Sequence, residues 1–194
     1  LAVLLALASL SKLSGLVLMP VTALAALWTA YRTRNRRGLL ELGVMVVGVW
    51  GVLAGWWYAR NIMLYDELFG TERMLAIFGR REMTVDLAQL LGEFEGLWLS
   101  YWGVFGWFSI LTETAFYRVV DAVAVVAVLG LAVHLWRARG KVDYCVRVFL
   151  LSLLLSLGLG SLISWTLQTP ASQGRLLFPY IAATSTLFAL GLRE

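Results

Sequence analysis

Five apolar stretches of near bilayer-spanning length divide the chain, and the gaps between them alternate in charge. A bilayer's hydrocarbon core is about 30 Å thick and takes about 20 mostly apolar residues of helix to cross. A helix that is apolar all round must be hidden from water on every side, and a chain this short cannot do that five times within a soluble core. The two tightest gaps, residues 32–37 (RTRNRR) and 137–141 (RARGK), are basic, whereas the long gap at 60–116 holds eight acidic residues against four basic ones. Short loops rich in Lys and Arg stay on the cytoplasmic side. The pattern predicts an integral membrane protein whose long loop faces the exterior.

Composition agrees. At 60% hydrophobic, 14% charged and a mean hydropathy of +0.80, the chain lies well above the about 45–50% apolar content of soluble domains. The net charge of +4 does not argue for nucleic acid, because the cations cluster at the ends of apolar runs, where they set topology. The single Cys145 excludes an internal disulfide framework and a multi-cysteine metal site, and reads as a space-filling helix residue. No phosphate-binding loop, dinucleotide fingerprint, zinc spacing or nucleophile elbow is present. The chain opens apolar, without an initiator Met or a signal peptide's basic region, and ends directly after an apolar run. It reads as a piece of a longer membrane protein.

The expected fold is all-α: a polytopic transmembrane helical bundle in one membrane domain. Spans are expected at about 1–10 (the tail of a helix), 16–31, 39–58, 119–136, 146–163 and 176–192, with an external segment at 59–117. Within that segment a helix is signalled over 84–102, with Thr84 as N-cap and Asp86 in the first turn. Leu87, Leu90, Leu91, Phe94, Leu97, Trp98, Tyr101 and Trp102 recur at three- and four-residue spacing and form one apolar arc. Asp86, Gln89, Gly92, Glu93, Gly96 and Ser100 occupy the other side, so the helix is expected to lie along the membrane surface, apolar face down. Residues 103–110 (GVFGWFSI) read as a packed turn.

Three cations are candidate ligand contacts. Arg175, beside Gly174 and two residues after Gln173, stands at the external mouth of a span, where a guanidinium fork can hold a phosphate in two hydrogen bonds; it can equally anchor the helix end. Lys12, between Ser11 and Ser14, belongs at a turn, since a lysine in hydrocarbon costs about 2.5–3.5 kcal/mol; it can share that phosphate or simply be solvated. Arg60-Asn61 follows the interfacial cluster Trp56-Trp57-Tyr58 and admits the same two readings. The external carboxylates read as a solvated face. Arg37/Glu41, Arg118/Asp121 and Asp143/Arg147 have intrahelical spacing, and His134, lacking a second ligand nearby, reads as structural.

Four short motifs occur in order: LSKLSGL at 10–16, WWYARN at 56–61 leading to LYD at 64–66, YWGVFGW at 101–107, and QGRLLFP at 173–179. Together they resemble the C-terminal half of bacterial GT-C-type membrane glycosyltransferases. These are the protein-mannosyltransferase and aminoarabinose-transferase type, with their uncharacterised predicted-membrane-protein relatives. The resemblance covers nearly the whole chain. It implies transfer from a polyprenyl-phosphate sugar donor at the outer face of the bacterial inner membrane, with inversion at the sugar carbon; from the residues themselves, no cofactor or metal is expected. It also implies a catalytic acidic residue in a first external loop preceding Leu1. Lys12, Arg60, Asn61, Gln173 and Arg175 would then contact the donor, with Trp57, Trp98 and Trp102 lining its groove. A lipid or solute transporter and a non-catalytic membrane scaffold remain the alternatives.

Overall fold

The computed structural model describes residues 1–82, 85–106, 109–170 and 173–193. Among them the chain is all-α apart from a short antiparallel hairpin, β1 (Val104–Phe105) with β2 (Ile110–Leu111), in which Val104 faces Leu111. Four helices among the described residues are long and apolar enough to cross a bilayer: Leu13–Thr33, Thr114–Ala138, Val142–Gln168 and Gly174–Leu192. Within their apolar windows only 11–33% of residues are buried inside the protein. Apolar surface on that scale is incompatible with water and fits lipid, so the chain is a multi-pass membrane protein. The chain forms two compact units, Leu1–Arg80 and Arg81–Glu194.

The first unit begins with α1 (Ala2–Ser11), a 3-10 turn (Leu13–Val17) and α2 (Leu18–Thr33). Pro20 falls in the first turn of α2, where no N–H is needed for the helical ladder. Gly15 lets the 3-10 turn fold back on α1, because a Cβ there would run into the carbonyl of Ala8. α3 (Arg36–Leu53) starts at the Asn35 cap, whose Oδ1 accepts from Gly38 N at 2.8 Å, and keeps the expected Arg37–Glu41 pair at 2.8 Å.

The expected span 39–58 falls on a bent helix pair. The helix breaks at Ala54 and resumes as α4 (Gly55–Tyr65), bent by 52°. No proline lies at the bend; Gly51 and Gly55 flank it, and Ala54 is fully buried against Ala6 and Tyr58. Glycine loosens the helix, and packing of the small Ala54 draws the backbone inward. α5 (Thr71–Phe78) follows, its first turn capped by Glu67 Oε2 accepting from Glu72 N at 2.8 Å; Arg80 pairs with Glu72.

The second unit opens with α6 (Leu87–Trp102). Thr84 lies outside the described residues, and the cap is Asp86. Its Oδ1 accepts from Gln89 N at 2.7 Å, while Asp86 N donates to Gln89 Oε1 at 3.1 Å, a reciprocal capping box. Asp86→Ala should cost about 0.5–2 kcal/mol, read as faster amide hydrogen exchange in the first turn of α6 than in its last. In the expected packed turn at 103–110, Val104 and Phe105 pair with Leu111 and Ile110, while Trp107 and Phe108 lie outside the described residues. Gly103 O accepts from Thr112 Oγ1 and from Tyr117 Oη, both at 2.9 Å.

α7 (Thr114–Ala138), α8 (Val142–Gln168), a 3-10 segment (Gly174–Tyr180) and α9 (Ile181–Leu192) complete the unit. Pro179 has no N–H and its ring crowds the preceding turn, so the expected span at 176–192 opens as 3-10 and becomes α only from Ile181. α7 and α9 meet backbone to backbone: a Cβ on Gly130 would strike Gly191 O, and one on Gly191 would strike Ala127 O. Small residues permit that approach in a membrane protein. His134 is hydrogen-bonded to Tyr144 Oη at 2.7 Å, joining α7 to α8, in line with its structural reading. Asp121 departs from expectation: it accepts from Trp98 Nε1 at 2.7 Å and so links α7 to α6.

Candidate functional site

The candidate ligand residues divide between the two units. In the first, the segments carrying Lys12 and Arg60 come together: Trp50 Nε1 donates to Ser9 Oγ at 2.9 Å, and Tyr58 Oη donates to Ser9 O at 3.3 Å. Lys12 occupies the extended corner between α1 and the 3-10 turn. Desolvation by the turn lowers its pKa from the ordinary lysine value. The Arg60 guanidinium lies 5.3 Å from the Trp57 ring centroid, a cation–π stack that fixes its direction. Trp57 is itself edge-on to Trp56. Asn61 is only 2% exposed, and its Nδ2 donates to Leu68 O at 3.3 Å. That amide closes the chain around the end of α4, which leaves it the least accessible of the eight candidates.

The second unit holds the better-defined group. Gly174 sits in the backbone of α6: its N–H donates to Ser100 Oγ at 2.7 Å, and a Cβ would collide with Leu97 O and approach Tyr101 N to 2.6 Å. Ser100 is 5% exposed and donates in turn to Leu97 O at 3.1 Å. The small-residue side of α6 is thus used at Ser100 to seat the 3-10 segment. Leu91 and Phe94 on the apolar arc remain 66% and 55% exposed. The reason is steric: only a small side chain lets another backbone come this close.

On this anchor stands Arg175. Its Nε donates to Gln173 Oε1 at 2.7 Å, and the side chain is exposed. Among the described residues nothing else is bonded to the guanidinium, so its Nη1 and Nη2 edge is directed by Gln173 and open to a ligand. A chain of rings links α6 to the 3-10 segment at Phe178: Trp98–Trp102 at 5.6 Å, Trp102–Tyr101 at 5.0 Å and Tyr101–Phe178 at 5.8 Å between centroids. Trp98 Nε1 is committed to Asp121, while Trp102 Nε1 is buried with no acceptor among the described residues.

One residue of this region escaped the sequence reading. Arg81 donates from Nε to Thr166 O at 2.7 Å, pairs through Nη2 with Glu93 Oε2 at 2.7 Å, and donates its backbone N–H to Gln168 O at 2.9 Å. It caps the carbonyl end of α8 and ties that end to α6. Glu93 is therefore drawn inward instead of standing on a solvated face. No local pattern marks this role, since Arg81 stands beside Arg80 in a segment with several charges. Among the described residues no cluster of three His, Cys, Asp or Glu side chains is placed to hold a metal ion.

The chain matches no family model, no curated protein and no solved structure.

Proposed function

We propose that this chain is the donor-binding part of a GT-C-like glycosyltransferase that takes a sugar from a polyprenyl-phosphate carrier at the outer face of a bacterial inner membrane. The observation that carries the reading is the Gln173-directed Arg175 on a loop pinned to the aromatic helix α6. A lipid-linked sugar presents an apolar chain, a phosphate and a sugar ring within a few ångströms of one another. Rings and a guanidinium at the end of an apolar span meet those three demands together. When the bond from the sugar carbon to the carrier oxygen breaks, the phosphate gains negative charge, and a cation fixed beforehand stabilises that charge most. Lys12, Arg60 and Trp57, in the first unit, are proposed as donor-contacting residues of that unit alone.

The transporter alternative would draw on the bent α3–α4 pair, since broken helices expose ion and substrate sites at mid-membrane. Ala6, Ala54 and Tyr58 pack together at this bend.

The test is binding of a polyprenyl monophosphate to the chain in detergent. Arg175→Ala should weaken it by roughly 10- to 100-fold, the loss of charge-assisted hydrogen bonds worth about 1.5–3 kcal/mol. Arg175→Lys should fall between, keeping the charge but losing the fork and the Gln173 contact. Unchanged affinity in Arg175→Ala removes the reading.

A further inference from the structure

The other end of α7 carries a second feature, independent of the proposed donor site. Val133, Trp136, Arg137 and Arg139 line a groove of about 330 Å³. Arg139 stands with its Cζ 5.8 Å from the Trp136 ring centroid, so the indole face holds the guanidinium in place. Arg137 and Arg139 are both exposed. Trp136 is 69% exposed, and the wall it begins continues along α7 through the exposed side chains of Val133, Leu129 and Val126.

We propose that this groove binds the phosphate-bearing headgroup of an anionic phospholipid, with one acyl chain running along the apolar stripe of α7. Three properties select that ligand. The volume is at the small end of the about 300–1,000 Å³ usual for ligand sites, which suits a headgroup and not a whole lipid. The charged wall and the apolar wall are contiguous, so a soluble anion would use only half of the site. The carbonyls at the C-terminal end of α7 carry negative potential, so an anion is held there only while both guanidiniums oppose it. A zwitterionic headgroup would bring a cation against Arg137, Arg139 and the neighbouring Lys141; an anionic one does not. Basic pockets at the ends of membrane helices bind lipid phosphates by this chemistry.

The test is native mass spectrometry of the full chain released from detergent with phosphatidylglycerol, phosphatidylcholine or inorganic phosphate added. Phosphatidylglycerol should be retained about tenfold or more tightly than phosphatidylcholine, as expected of charge-assisted phosphate contacts. Arg137→Gln/Arg139→Gln should remove that preference. Arg118→Gln, at the opposite end of α7, should keep it. Trp136→Leu, which leaves both charges but frees Arg139, should weaken it severalfold. All of these side chains but Arg118 line the surface groove, so thermal unfolding close to the parent's is expected of every variant. Retained preference in the double variant overturns the proposal, as does equal loss in Arg118→Gln. Displacement of the lipid by millimolar inorganic phosphate also overturns it, in favour of a soluble-anion site.

Discussion

Gly174→Ala should unfold the end of the second unit that carries Gln173 and Arg175 and abolish the proposed phosphate-lipid binding together, although it adds a single methyl group. The added Cβ meets Leu97 O and the backbone of Tyr101. These are main-chain atoms of a regular helix and cannot rotate aside. Overpacking costs about 1–3 kcal/mol where side chains can adjust, and here they cannot, so about 3 kcal/mol or more is expected. To escape, the 3-10 segment must lift from α6, which breaks the Gly174–Ser100 hydrogen bond and frees the loop that directs Gln173 and Arg175. Thermal unfolding in detergent should shift down, and polyprenyl-phosphate affinity should fall at least as far as in Arg175→Ala. Gly92→Ala is the control on the same helix. No atom lies within 4 Å of a Cβ there, so it should be neutral or stabilise the helix by up to about 1 kcal/mol. If the two variants behave alike, Gly174 is not the anchor.

That contrast shows what could be read from the chain and what could not. The spans at 119–136 and 146–163 were legible because lipid-facing helices need uninterrupted apolar residues. The helices run farther, to 114–138 and 142–168, because the polar flanks continue the hydrogen-bond ladder into the interface, where hydropathy gives no signal. The bend at Ala54 was not legible. It involves no proline and arises from burial of one alanine against Ala6, a residue 48 positions away. On α6 the period was right, and the seating of Gly174 on Ser100 lay beyond it. Hydropathy separates Leu and Trp from Ser and Gly but does not say which face meets protein. In a membrane protein the small residues often do, and Ser100 followed that rule while Gly92 and Gly96 stayed open. At the site, the adjacency of Gln173 and Arg175 was visible as a short motif. The Trp98–Asp121 and Arg81–Glu93 contacts join distant segments, and no local pattern encodes them.

Arg81 makes the sharpest case, and its removal is the second large effect expected. Arg81→Ala would strip Thr166 O of its donor at the end of α8 and remove the Arg81–Glu93 pair. Losing one partner of a buried ion pair costs about 3–5 kcal/mol. The Arg81 side chain is 15% exposed and that of Glu93 31%, so partial solvation of the remaining carboxylate places the expectation near the lower bound, about 3 kcal/mol. Glu93→Gln should cost less, because an amide oxygen still accepts from Nη2 and no charge is stranded beyond the partly solvated guanidinium. Arg81→Ala/Glu93→Ala should recover part of the single-variant loss, since both members of the pair are then absent; the remainder measures the contact with Thr166 O. Arg81→Lys is the most discriminating change. One ammonium can reach Glu93 or Thr166 O but cannot copy the fork that binds both. A stability equal to that of the parent would mean that the pair supplies charge alone. A loss approaching that of Arg81→Ala would assign the effect to geometry, with the guanidinium acting as a cap on α8 and a strut to α6 at once.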